Sequence, residues 1–192
     1  MLPSSQADAR IAQNALAARL LEGRIGPSPA VRAPQPGVTI LNGVEPVRQA
    51  MLDAMSSAQR LISVLTLDME PAIFDQPAFL EAAKRFVLGR AFGKARLLVR
   101  DTTKMNASYN RFVSMARRLS GSLEIRLLHI DLGALEGTYL IADQHSIVYR
   151  ERADTYRGIY SRGNPALLQQ RLLDFDAAWI ASDNPMVRVS NI

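Results

Sequence analysis

Three carboxylates each close an apolar run: Asp68 after LISVLTL, Asp101 after ARLLVR and Asp131 after SLEIRLLHI. In an α/β sheet the carboxyl ends of the strands border the ligand crevice. Three carboxylates meeting there would offer hard oxygen ligands to Mg²⁺. Each acid also suits a cap or turn. Asp101-Thr-Thr is a good N-cap run, and Asp68 precedes a Pro-containing turn. Capping is the preferred reading, so no metal and no cofactor is assigned. Thr66, Asp68 and Asp101 are carried forward as the floor of a ligand site.

A second group lies in the stretch ADTYRGIYSRGN, with Tyr156, Arg157, Gly158, Tyr160 and Arg162. Arg and Tyr mixed with Gly can close over an anionic or aromatic ligand, because a guanidinium grips two oxygens at once. The alternative is a solvated crossover with its tyrosines packed on the domain. Arg150 stands just before this stretch and is grouped with Tyr156 and Arg157. A third group is Lys104, Arg111 and Arg118, spaced by seven on one face of a helix predicted over 104–119. Such a stripe could track phosphates. It also reads as a solvated face, with Arg117 and Arg118 complementing the helix dipole. Only Tyr109 and Phe112 interleave aromatics there, so nucleic acid is not expected as a partner.

His129 and His145 are isolated, and neither has a metal-ligand or triad partner at useful spacing. Cysteine is absent, which excludes disulfides and thiolate metal sites. The 192 residues are 48% hydrophobic with a net charge of +5, the pattern of a soluble globular protein. Lys84, Lys94 and Lys104 are the only lysines, so the basic charge is mainly arginine. That is either a compositional bias or an anion-binding surface. The start, MLPSSQADARIAQNALAARL, lacks a basic stretch followed by an apolar one, and no apolar run approaches the roughly 20 residues of a membrane span. A cytoplasmic location is the expectation.

The elements that must position these groups follow from periodicity. Residues 5–22 suit a helix ended by Gly23, and four prolines between 27 and 36 make an extended linker. Helices are predicted over 45–58, 77–91 and 104–119, and one is capped by Asn164 and runs to Trp179. Strands are predicted over 60–67, 95–100, 122–130, 138–142 and 146–150, the last two as a hairpin turning at Asp143–Ser146. The predicted division is 1–23 as a helical appendage, 24–37 as a Pro-rich linker and 38–192 as an α/β domain. The order αβαβαββα implies a mixed, mostly parallel sheet with helices on both faces.

This order, with its hairpin after the third strand, Asp143 closing the first hairpin strand, and Phe175-x-x-x-Trp179 in the last helix, resembles one half of a phospholipase D-like domain. The resemblance spans residues 38–182. The superfamily signature is His-x-Lys, four residues, Asp, then Gly-Ser. Its His is the nucleophile and its Lys steadies the phosphate. With Asp143 in register, Glu136 stands at the His position and Thr138 at the Lys position, while Arg150 and Glu151 fall near Gly-Ser. No His-x-Lys occurs in the chain.

The resemblance therefore implies a domain without the family's chemistry. It would bind an anionic, phosphate-containing ligand or a protein partner, through Thr66, Asp68, Asp101, Asp143, Arg150, Tyr156 and Arg157. One half-domain per chain implies, if the family's geometry is retained, pairing into a homodimer around the Asp143 hairpin; the opposing reading is a monomer whose own N-terminal helix covers that surface. Two alternatives stay open: a metal-assisted phosphodiesterase or phosphatase using Asp68, Asp101 and Asp131, and an interaction module using helix 5–22.

Overall fold

The computed structural model describes residues 37–90, 92–103, 110–128, 135, 137–163 and 166–182. The expected helix 5–22, the linker up to residue 36, Lys104, Asp131, Glu136 and the Asn164 cap lie outside them. Twelve elements occur in order: β1 (Gly37–Asn42), α1 (Val44–Ser57), β2 (Leu61–Thr66), α2 (Pro71–Phe74), α3 (Pro77–Gly89), β3 (Lys94–Val99), α4 (Arg111–Arg118), β4 (Leu123–Leu127), β5 (Thr138–Ala142), β6 (Ser146–Arg150), β7 (Arg157–Arg162) and α5 (Ala166–Ala181).

The strands form one seven-stranded sheet in the order β1-β7-β6-β5-β2-β3-β4. The five predicted strands all belong to it, but the expected mostly parallel sheet is corrected. β2–β3 and β3–β4 are parallel, whereas β1–β7, β7–β6, β6–β5 and β5–β2 are antiparallel. The causes are that β5 joins β2 antiparallel and that two further antiparallel strands were not predicted. The stretch containing Tyr156–Arg162, expected as a loop, supplies β7. GVTILN before α1 supplies β1, which pairs with β7 from Gly37↔Arg162 to Asn42↔Arg157.

Helices cover both faces, as expected. On one face Ile62, Val64, Leu97, Val99, Leu140 and Val148 pack against α1 to α4. Phe74, Phe79 and Phe112 lock α2, α3 and α4 together, with ring centroids 5.5 Å and 6.0 Å from Phe74. On the other face Leu65, Leu98, Tyr139, Ile141 and Ile147 meet Leu168, Phe175 and Trp179 of α5. The Phe175 and Trp179 rings stack at 5.9 Å, and the Arg126 guanidinium lies 4.2 Å from the Trp179 centroid. Among the described residues helix α4 starts at Arg111, because the Asn110 side chain accepts from the Phe112 and Val113 amides at 3.0 and 3.2 Å. No helix among the described residues is long and apolar enough to cross a membrane.

Candidate functional site

The carboxyl end of the parallel strands gathers most of the expected site residues. The step after Leu65↔Tyr139 places Thr66 beside Thr138, and Thr138 pairs with Arg150. These three form a polar row on the face covered by α1 to α4. Thr66 and Thr138 are buried, and among the described residues neither hydroxyl has a hydrogen-bond partner. Asp68 is 7% exposed in the loop just beyond. The backbone of Asp101 extends the β2–β3 ladder by donating to Leu67 O at 2.8 Å, while its carboxylate accepts from the Thr103 amide at 2.8 Å. The carboxylate thus closes a tight turn at the start of the Asp101-Thr-Thr run. No group of three or more His, Asp or Glu side chains that could hold a metal exists among the described residues.

Arg150 does not reach solvent. Its side chain is fully buried and makes two parallel bonds, both 3.0 Å, to the Glu70 carboxylate, plus one of 2.7 Å to Ala153 O. Tyr156 completes the setting, its ring centroid 5.1 Å from the guanidinium. The expectation that Arg150 and Tyr156 grip an anion is therefore corrected, since Glu70 already fills the fork. Sequence reasoning missed Glu70 entirely. Arg157 is exposed, at the first position of β7. Arg100, also at this end, donates to Leu135 O and to Gly137 O, and burial lowers its pKa. Burial likewise pushes the Tyr139 hydroxyl upward, and it donates to Arg171 O at 3.3 Å.

Asp143 is not part of this group. It sits at the opposite end of β2, five strand positions from Thr66, about 17 Å away at the usual rise. Its two oxygens accept from the backbone amides of Gln59, Arg60 and Leu61, each at 2.8 Å. The residue takes φ +53° to do so, closing the β5–β6 turn onto the start of β2. Asp143 is a bolt between hairpin and parallel strands. Asp143→Ala should lower unfolding free energy by about 1–2 kcal/mol, read from denaturant midpoints. An unchanged midpoint would remove this role.

The end that Asp143 bolts is basic. Lys94 N donates to Arg60 O at 2.9 Å, which sets Arg60 and Lys94 side by side. Arg90 follows α3 and donates to the Gln59 side chain. Arg85 and Arg90 line one cleft with Met55, Ser56 and Phe86. The Lys94 ammonium meets Gly121 O in the turn after α4, where Arg117 and Arg118 end the helix. Arg118 and Arg111 also line a groove with Lys84 between α3 and α4, so two members of the expected stripe share one face.

Ion pairs offset little of this charge. Arg111 is held by Asp75 at 2.8 Å and Lys84 lies 3.8 Å from Glu81. Among the described residues, Arg60, Arg85, Arg90, Lys94, Arg117 and Arg118 stand outside such pairs. Asp143, the carboxylate beside them, has its oxygens turned to backbone amides. The acids Asp68, Glu70 and Asp101 lie at the far end, while Asp176 lines a pocket with Arg60 and Asp143 and is paired with Arg96 at 2.7 Å.

A family model described as a domain of unknown function, DUF7931, matches residues 43–188, and the chain belongs to that family. No curated protein matches it. Among solved structures, the chain is similar to TrmBL2, an archaeal chromatin protein whose structure is described as showing a novel mode of DNA binding, with TM-score 0.54 and 15% identity. The likeness covers 93% of this chain and 65% of that one, so the chain spans less than two thirds of that protein's length. It is also similar to NucT from Helicobacter pylori, with TM-score 0.50 and 10% identity, over 78% of this chain and 98% of that one. These likenesses show the shared fold. The expectation that set nucleic acid aside is overturned by the first of them, a DNA-binding protein of the same architecture. That expectation weighed one helix, whereas the basic end draws cations from segments as distant as Arg60 and Arg118.

Proposed function

We propose that this chain is a catalytically inactive, phospholipase D-like domain that binds the phosphate backbone of nucleic acid through its basic end. The observation that carries the reading is the gathering of Arg60, Arg85, Arg90, Lys94, Arg117 and Arg118 at one end of the sheet, outside any ion pair among the described residues. Clustered Arg and Lys on one surface are the electrostatic footprint of phosphate binding. Support comes also from TrmBL2, described as a chromatin protein that binds DNA. The phospholipase D-like part rests on the element order, the hairpin and its Asp143. The inactive part rests on Glu136 and Thr138 standing where that chemistry needs His and Lys.

The test is fluorescence anisotropy of a labelled oligonucleotide with the full chain, across salt. If about five phosphates are neutralised, the slope of log K against log salt is roughly −4.5, and affinity falls several hundredfold over a fourfold rise in salt. The labelled strand should remain intact with EDTA and with Mg²⁺. No binding at low salt, or binding indifferent to salt, removes the reading. Cleavage that needs Mg²⁺ and is lost in Asp101→Asn replaces it with the enzymatic alternative.

A further inference from the structure

We infer that the basic end takes single-stranded nucleic acid, with Phe92 as the platform on which a base stacks. This rests on the nucleic-acid reading above and goes beyond it in naming the form of the ligand. Phe92 is 84% exposed, and among the described residues it is the one aromatic ring so exposed. A lone surface apolar residue is ordinary. The surroundings of this one are not: Arg90 precedes it by two residues and Lys94 follows it by two.

The turn that carries the ring is tightly held. Gly93 N donates to Arg90 O at 3.1 Å. A Cβ at Gly93 would lie 2.7 Å from Phe86 O, so the turn is pressed onto the end of α3 and only glycine fits. The flanking cations are anchored too, Arg90 on Gln59 and Lys94 on the Gly121 carbonyl. The chain therefore presents a ring between two fixed cations. Leu88, 61% exposed, extends the apolar surface into the groove lined by Lys84 and Arg118.

A single strand matches this arrangement. Its phosphates can track the cations while an unstacked base lies on the ring, a contact that tolerates any sequence because every base has a π face. A duplex keeps its bases stacked inside and offers the ring nothing comparable. A docking protein, the other occupant of an exposed ring, would not need an anchored cation two residues to either side of it.

The experiment compares a labelled oligo-dT with a duplex of equal length, using the full chain and the variants Phe92→Ala and Phe92→Trp. Phe92→Ala should weaken oligo-dT binding about tenfold or more and leave duplex binding within about twofold. Phe92→Trp should restore the affinity, with its indole emission quenched as the base stacks. Because the ring is exposed, Phe92→Ala should fold normally, and circular dichroism checks this. If Phe92→Ala binds oligo-dT as well as the parent does, and both retain salt-dependent binding, the stacking inference falls while the nucleic-acid reading stands. If the parent binds neither probe at low salt, both fall.

Discussion

Replacing Arg90 and Lys94 together by glutamate should weaken oligonucleotide binding about a hundredfold at low salt and make the salt slope shallower by about two. The two cations lie close together, each tied to a neighbouring oxygen, and no carboxylate pairs with either among the described residues. Reversal replaces two attractive charges by two repulsive ones, so the effect exceeds that of neutralisation. The control is the double reversal Arg152→Glu and Arg157→Glu, which leaves the basic end intact. It should change affinity by no more than about threefold.

The competing account is structural. Arg90 follows the end of α3, where a cation complements the helix dipole for about 0.3–1 kcal/mol. On that account the reversal lowers thermal stability a little and binding stays as it was. Measuring anisotropy and melting temperature on the same samples separates the two. Loss of affinity with the melt nearly unchanged supports the interface, and the opposite pattern removes it.

Much of the scaffold was legible in the residues, and the reasons are local. LISVLTL and ARLLVR are continuous apolar runs because β2 and β3 are covered on both faces. The α5 stripe of Leu168, Leu172, Phe175 and Trp179 meets the sheet as its spacing predicts. Strand direction was not legible, since an apolar run looks alike in a parallel and an antiparallel pair. β1 hides for another reason. Val38 and Ile40 are 65% and 82% exposed and Leu41 is the one buried residue of β1, so no alternation is set up along it. β-branched composition was its one signal. β7 opens with Arg-Gly and pairs through its backbone with β6 and β1, a fact carried by its neighbours rather than by its own side chains.

The site was legible in part, and the misses are tertiary. Thr66 and Asp68 were expected at a strand end and lie there, at the end of the sheet opposite the basic cluster. Asp143 was grouped with Thr66, Asp68 and Asp101, whereas the hairpin register sets it at the opposite end of β2. The basic end needs Arg60, Arg90, Lys94 and Arg118 brought together by the parallel β2–β3–β4 ladder, and none is notable in its own segment.

Arg150→Ala should cost about 3–5 kcal/mol and lower the melting temperature by on the order of 10 °C. The side chain is fully buried, and its loss leaves Glu70, itself only 13% exposed, as an uncompensated buried charge. The space it occupies is built for it. Gly158 falls opposite Arg150, one step beyond the Tyr149↔Ile159 pair. A Cβ there would lie 2.2 Å from Tyr149 O and 2.9 Å from Arg150 Cγ. On the other side Gly137, at φ +75°, would place a Cβ 2.5 Å from Arg150 O.

Glu70→Leu should be destabilising by a similar amount, for the mirrored reason. The double variant Arg150→Met with Glu70→Leu should recover more than half of either loss, because an apolar pair removes both desolvated charges at once. The Arg150 Nε is buried without a hydrogen-bond partner among the described residues, so methionine also relieves that cost. A ligand-gripping Arg150 predicts a different pattern: melts within a few degrees of the parent, weaker oligonucleotide binding in each single variant, and no recovery in the double. Additive losses in the double variant would mean that the two residues stabilise the fold independently and that their bidentate contact is not what holds the polar row in place.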